Sequence, residues 1–165
     1  MKKLIIVTGT HGIGKGETCK QLYRTIDRSV WLDGNWCWKM NPWNFDEECK
    51  LMVEDNITHL IKNYLGNSNI DTIVFSWAIH NEEVLTKICE NLADIEHEEY
   101  MYTMICDPVE LSSRMTVKNY IRPDIDASLE SMIKYKAMRD TVKLDVTHMT
   151  AYEVANEIAL RSNIR

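Results

Sequence analysis

The sequence predicts an α/β protein, a three-layer α/β/α fold with a five-stranded parallel sheet between helices. Two observations carry this expectation. Short runs rich in β-branched and aromatic residues alternate with longer segments whose apolar residues recur every three or four positions. The first run, Lys3 to Thr8, is apolar without alternation, as in a strand buried on both faces. Strand–helix alternation of this kind builds parallel sheets, and ligands of such sheets bind beyond the carboxyl ends of the strands.

Each element has a local reason. Lys3 to Thr8 forms the first strand, Ser29 to Asp33 the second, Asp71 to Ser76 the third and Tyr100 to Cys106 the fourth; Val142, Leu144 and Val146 alternate in a fifth. Asn44 to Leu65 brings Val53, Ile57, Leu60, Ile61 and Tyr64 onto one helical face, with Asn44 and Glu47 as its cap and Gly66 as its stop. A helix near Glu82 to Ala93 carries Val84, Leu85, Ile88 and Leu92. Asp107-Pro108 opens another, with Pro at the first helical position. Ile125, Leu129, Met132 and Ile133 mark a helix after Pro123, and Thr150 with Glu153 forms a capping box for the last.

Composition bounds the reading. A chain of 165 residues with 45% hydrophobic and 27% charged residues is expected to form a single domain over 1–165 with a sizeable core. A net charge of −6 argues against a general nucleic-acid binder. No apolar run approaches the length of a membrane helix, and the apolar segment after Lys2-Lys3 is too short for a secretory signal. Five dispersed cysteines without a Cys-x-x-Cys fit reduced thiols in a cytoplasmic protein. A monomer or homodimer is expected.

The segment after the first strand carries the chemistry. Gly9-Thr10-His11-Gly12-Ile13-Gly14-Lys15 supplies Gly-x-x-x-x-Gly-Lys, followed by Gly16-Glu17-Thr18 and a helix. Glycines let the backbone turn amides toward an anion, the helix adds its amino-terminal N–H groups, and Lys15 reaches the terminal phosphates. Gly9 through Thr18 are therefore the candidate nucleotide-binding residues. The residue after Lys15, ordinarily a Ser or Thr that ligates Mg²⁺, is Gly16. Direct side-chain ligation of the metal is accordingly not expected, and phosphates and water would hold it.

This loop resembles that of the small P-loop kinases: nucleoside monophosphate kinases, shikimate and gluconate kinases, and antibiotic phosphotransferases. Adenylate-kinase-like members also read Gly-Lys-Gly. The likeness extends to Asp107 through Arg114, then Lys118 and Arg122-Pro123. It implies a P-loop NTPase fold with a mobile lid over about 112–124, in which Arg114 flanks the adenine or phosphates and Arg122 closes on the moving phosphoryl group. It also implies that the loop after the fifth strand, with Thr147, holds adenine through its backbone. No Asn-Lys-x-Asp is present, so ATP is the expected donor, with Mg²⁺.

The acceptor is expected on the other side, along 34–66. Asp33 closes the second strand, where the same resemblance implies an acid that orients or deprotonates the acceptor hydroxyl. Trp36 and Trp38 lie in the loop that follows, with Trp43, and offer aromatic walls. Ser76, Trp77 and His80 follow the third strand; Ser76 stands where many P-loop proteins have an acid. Lys15, Asp33, Arg114 and Arg122 are the expected catalytic residues. Asp33, Trp36, Trp38, Ser76, Trp77 and His80 are the expected acceptor contacts. No Gly-x-Ser-x-Gly or His-Glu-x-x-His occurs, which removes the common hydrolase readings. The expectation is an ATP-dependent phosphotransferase acting on a hydroxyl of a metabolite, antibiotic or nucleoside. The alternatives are a nucleoside monophosphate kinase and an ATP-binding regulatory or NTPase domain.

Overall fold

The computed structural model of the chain describes residues 1–164. Five parallel strands, β1 (Lys2–Gly9), β2 (Ser29–Asp33), β3 (Thr72–Trp77), β4 (His97–Ile105) and β5 (Val142–Asp145), lie in the order β2-β3-β1-β4-β5. Among the described residues five α-helices connect them, α1 (Lys15–Thr25), α2 (Glu47–Gly66), α3 (Glu82–Glu90), α4 (Pro108–Val117) and α5 (Arg122–Ala137), and a sixth, α6 (Ala151–Arg161), follows β5. A short 3-10 turn, Gly34–Trp38, follows β2.

β1 is the central strand, as its unbroken apolar run requires. Ile5 and Val7 face a core shared with Cys19 and Leu22 of α1 and Val154 and Ile158 of α6. Leu4 and Ile6 face a second core with Val53, Ile57 and Ile61 of α2 and Leu85 and Ile88 of α3. Complete burial of each such side chain stabilises the fold by roughly 1.5–3 kcal/mol. β1 is flanked by β3 on one side and β4 on the other, so the chain leaves its carboxyl end at the point where the strand order reverses.

The expected strands and helices are all present, with shifted ends. α2 starts at Glu47 because Asp46, not Asn44, caps it. The Asp46 carboxylate accepts from the Cys49 amide at 2.8 Å, while the Asn44 side chain is engaged with Asp46 itself. Asp107 accepts from the amides of Val109 and Glu110, and the Thr150–Glu153 capping box forms in full. Ile133 departs from its expected core face: it is 70% exposed, whereas Ile125 and Met132 are buried. Of the lid expected over 112–124, 118–121 is the part outside a helix.

Candidate active site

The loop between β1 and α1 is held from three directions. Thr8 Oγ1 donates to the Ile79 carbonyl at 2.6 Å and accepts the Ile79 amide at 3.2 Å, which fixes the end of β1 to the segment after β3. Thr10 Oγ1 donates to the Ser128 carbonyl of α5 at 2.8 Å. The His11 ring meets Tyr120 edge-on, with centroids 5.2 Å apart. Gly12 has φ +84°, and a Cβ there would collide with the Met115 side chain of α4. Gly14 precedes α1 at φ +108° and offers no side-chain cap, so the first-turn amides of α1 are left for a ligand.

Lys15 is half-buried, and its ammonium donates to the carbonyls of Gly9 at 2.7 Å and Thr10 at 3.0 Å. Burial lowers its pKa from 10.5 to about 8, opposed by the nearby charge of Asp33. Loss of water, and then the Lys15 charge, lowers the His11 pKa. Behind Lys15, burial pushes the Cys19 thiol up to about 12, so it stays a neutral packing group.

A cavity of about 460 Å³ opens from this loop toward β4 and β5. Gly12 to Gly14, Glu17 and Thr18 line one side; Arg114 and Lys118 of the α4 side and Val146 and Met149 after β5 are among the residues that line the other. Arg114 is a clamp: its Nε donates to Glu110 at 2.8 Å, and one terminal nitrogen donates to the carbonyls of Val146 at 2.8 Å and Thr147 at 3.1 Å. Its guanidinium thus joins α4 to the loop after β5 at the cavity wall. The Thr147 hydroxyl accepts from the Asp107 amide and donates to Asp145, and Thr147 is not among the lining residues; Val146 and Met149 take that place. Arg122 is not brought to the site. It is 74% exposed and pairs with Asp126 one turn along α5 at 2.9 Å.

A second cavity, of about 550 Å³, opens at the carboxyl end of β3; none of the phosphate-loop residues lines it, and it borders the end of β1 through Ile79, the partner of Thr8. Of the residues expected to contact the acceptor, Trp38, Trp77 and His80 line it. Trp43, expected as an aromatic wall, lines it too, and so do Phe45, Lys50 and Glu54, which were not among the expected contacts. Three of the expected residues lie off its wall. The Trp36 ring stacks at a tilt on Trp31, 5.1 Å between centroids, because the 3-10 turn folds it back over β2. Ser76 is buried, its hydroxyl accepting from Trp31 Nε1 at 2.9 Å. Asp33 caps the 3-10 turn, accepting from the Asn35 amide at 2.9 Å, and sits near enough to Lys15 for its charge to hold that ammonium's pKa up.

A family profile described as an AAA domain matches residues 5–135. The chain belongs to the AAA-domain family. The matched span runs from β1 into α5 and includes the phosphate loop. No curated protein matches the chain. Among solved structures, the tunicamycin resistance protein of Deinococcus radiodurans is similar at a TM-score of 0.75 and 12% identity, over 100% of this chain and 98% of that one. The gluconokinase of Sinorhizobium meliloti 1021 is similar at 0.68 and 13%, over 98% and 94%. The Mycobacterium tuberculosis APS kinase in complex with AMPPNP and APS is similar at 0.69 and 16%, over 95% and 95%. The shared property is the fold.

This AAA domain offers a metal ion little. Gly16 carries no hydroxyl, the Ser76 hydroxyl is engaged, and no cluster of three or more His, Cys, Asp or Glu forms among the described residues. Thr18 is the exception: the residue lines the loop-side cavity, and its Oγ1 is buried with no hydrogen-bond partner among the described residues. One free hydroxyl fits a Mg²⁺ that arrives on nucleotide phosphates and keeps its waters.

Proposed function

We propose that the protein is an ATP-dependent phosphotransferase that moves the γ-phosphoryl group of ATP to a hydroxyl of a small molecule. The observation that carries this reading is the pair of cavities at the carboxyl end of the sheet, one lined by the phosphate loop and the other by the segment after β3 that Thr8 ties to the end of β1. The β4–β5 side, with Arg114, Val146 and Met149, suits the nucleoside end of the donor. The β3 side, with its aromatic walls, suits the acceptor. Lys15 belongs to the loop that lines the first cavity, and Asp33 caps the turn whose Asn35 lines the second.

The roles follow from charge. The α1 amides and Lys15 stabilise negative charge that builds on the equatorial oxygens during transfer. Lys15 must release the Gly9 and Thr10 carbonyls to reach phosphate, so nucleotide exchanges two neutral acceptors for an anion. Asp33 orients the acceptor hydroxyl or takes its proton. Thr18 Oγ1 is the protein's hydroxyl for Mg²⁺, which neutralises phosphate charge when bound. Arg114 holds the wall of the donor site rather than chasing the moving group. Arg122 would take part only if its Asp126 pair opened on closure of the 118–121 connection over His11.

Acceptor-dependent release of ADP from ATP and Mg²⁺, with a pooled library of hydroxylated compounds, tests this reading. Stimulated release is expected. ATP binding without stimulation by any acceptor favours the second reading, an ATP-binding regulatory or NTPase domain. Gly16 and Ser76, where a hydroxyl and an acid would ordinarily handle the metal, are the residues that favour it.

A further inference from the structure

We infer that the β3-side cavity takes an uncharged alcohol bearing a flat conjugated ring, and that Trp43, backed by Phe45, is its recognition residue. This rests on the acceptor reading above and narrows it to a substrate class. Three observations lead to it.

The first is the aromatic content of the wall. Trp38, Trp43, Phe45 and Trp77 surround one space, with Trp38–Trp43 centroids 6.1 Å apart, Trp38–Phe45 5.2 Å, and Trp43 stacked on Phe45 at 5.5 Å and 8°. Trp43 and Phe45 are 63% and 55% exposed. Large rings held in parallel at a cavity rim leave apolar faces in water, and a flat ligand ring recovers that cost by stacking. An aliphatic polyol presents no such face.

The second is charge. The cavity wall has two formal charges, Lys50 and Glu54, and they offset one another. Both are already engaged. Lys50 lies 4.6 Å over the Phe45 ring centroid and 3.7 Å from Glu47, and Glu54 pairs with Lys87 at 2.8 Å. Among the described residues, no arginine lines the wall. His80 adds no positive charge at neutral pH, because burial and the Lys134 charge lower its pKa and its ring packs edge-on against Tyr135. A phosphate or carboxylate on the ligand would find one occupied ammonium and a facing carboxylate.

The third is the inner end. Asn35, on the wall, donates its backbone amide to Asp33, so a hydroxyl reaching past Asn35 approaches the carboxylate beside Lys15. Trp77, across from it, packs so closely on Gly34 that any Cβ there would overlap the indole. The floor is therefore rigid, while Trp43, backed by Phe45 at the rim, chooses the ligand.

Calorimetry on the whole protein tests this with four common nucleosides and an aryl glucoside, set against the nucleoside 5′-monophosphates and gluconate. At least one ring-bearing neutral alcohol should bind ten-fold or more tightly than its phosphorylated form and than gluconate. Trp43→Ala should weaken that binding ten-fold or more; the residue is exposed, and retained circular dichroism and ATP affinity show that the variant is folded. Lys50→Met should change it less than three-fold. Tighter binding of a monophosphate or of gluconate, indifference to Trp43→Ala, or no binding of any ring alcohol at millimolar concentration overturns the inference. The two readings fail separately. Ring alcohols that bind but never stimulate ADP release sink the kinase reading alone. ADP release stimulated only by gluconate or monophosphates sinks this inference alone.

Discussion

The two cavities at the carboxyl end of the sheet are built by different means. The one toward β4 and β5 is chiefly a main-chain structure: amides at the start of α1, glycines at positive φ, and carbonyls gathered by Arg114. The one toward β3 is a side-chain structure, with rings carried by the irregular stretch between β2 and α2. A main-chain site demands particular residues at fixed spacing, because only certain residues adopt the required backbone. A side-chain site demands shape and polarity, which many sequences meet. The first side is thus suited to an invariant ligand such as a triphosphate, and the second to whatever molecule the loop rings have come to fit.

The largest effect should fall where the two sides meet. Lys15→Met should lower phosphoryl transfer by about 10³-fold, by analogy with removal of one preorganised charge-stabilising group. Acceptor-stimulated ADP release measures it, and normal turnover would remove Lys15 from the chemistry. Asp33→Asn should cost about 10²-fold in transfer, the scale of general-base catalysis, with ATP affinity nearly unchanged. If ATP affinity falls as far as transfer does, Asp33 acts through Lys15, and the division between the two sides breaks down at that residue.

Gly12→Ala sharpens the contrast on the donor side. The methyl group meets Met115 and the backbone must hold φ +84°, so a loss of roughly 1–3 kcal/mol in urea unfolding is expected. An unchanged midpoint would show that the loop does not need its main-chain geometry.

The smallest effect is a pH dependence. The folded chain holds the Lys15 proton less tightly than the unfolded chain, about 8 against 10.5. Below pH 8 both states carry the proton, and the folded state bears the full cost of the desolvated ammonium. From pH 8 to 10.5 the folded state releases it first, so the Lys15 contribution to stability rises with pH. Lys15→Met should flatten that rise in urea midpoints. ATP phosphates should restore the charge, so ATP binding above pH 8 should take up protons in wild type and not in Lys15→Met.

The same division explains what the sequence disclosed. β1, the loop and α1 were legible because Gly-x-x-x-x-Gly-Lys after an apolar run states a backbone geometry. The Asp107 and Thr150 caps were legible for a similar reason: each acts on amides two or three residues away. Residue type alone says nothing of where a side chain points. Arg122 has the right chemistry for a lid, yet it turns along its own helix to Asp126, a partner four residues on that the sequence does display. Trp36 and Trp38 are two residues apart in a 3-10 turn and part company, one stacking on Trp31 and the other facing the cavity. Phe45 and Glu54 carried no signal of their own; they reach the cavity because Asp46 starts α2 at that point.

Backbone amide chemical shifts of the ¹⁵N-labelled protein, recorded as ATP and Mg²⁺ are added, test the central claim most directly. The account predicts the largest changes at Gly12, Gly14, Lys15 and Gly16, with small changes at Trp43 and Phe45. Saturating ATP that leaves those loop amides unmoved, or that moves the aromatic rim instead, would contradict it.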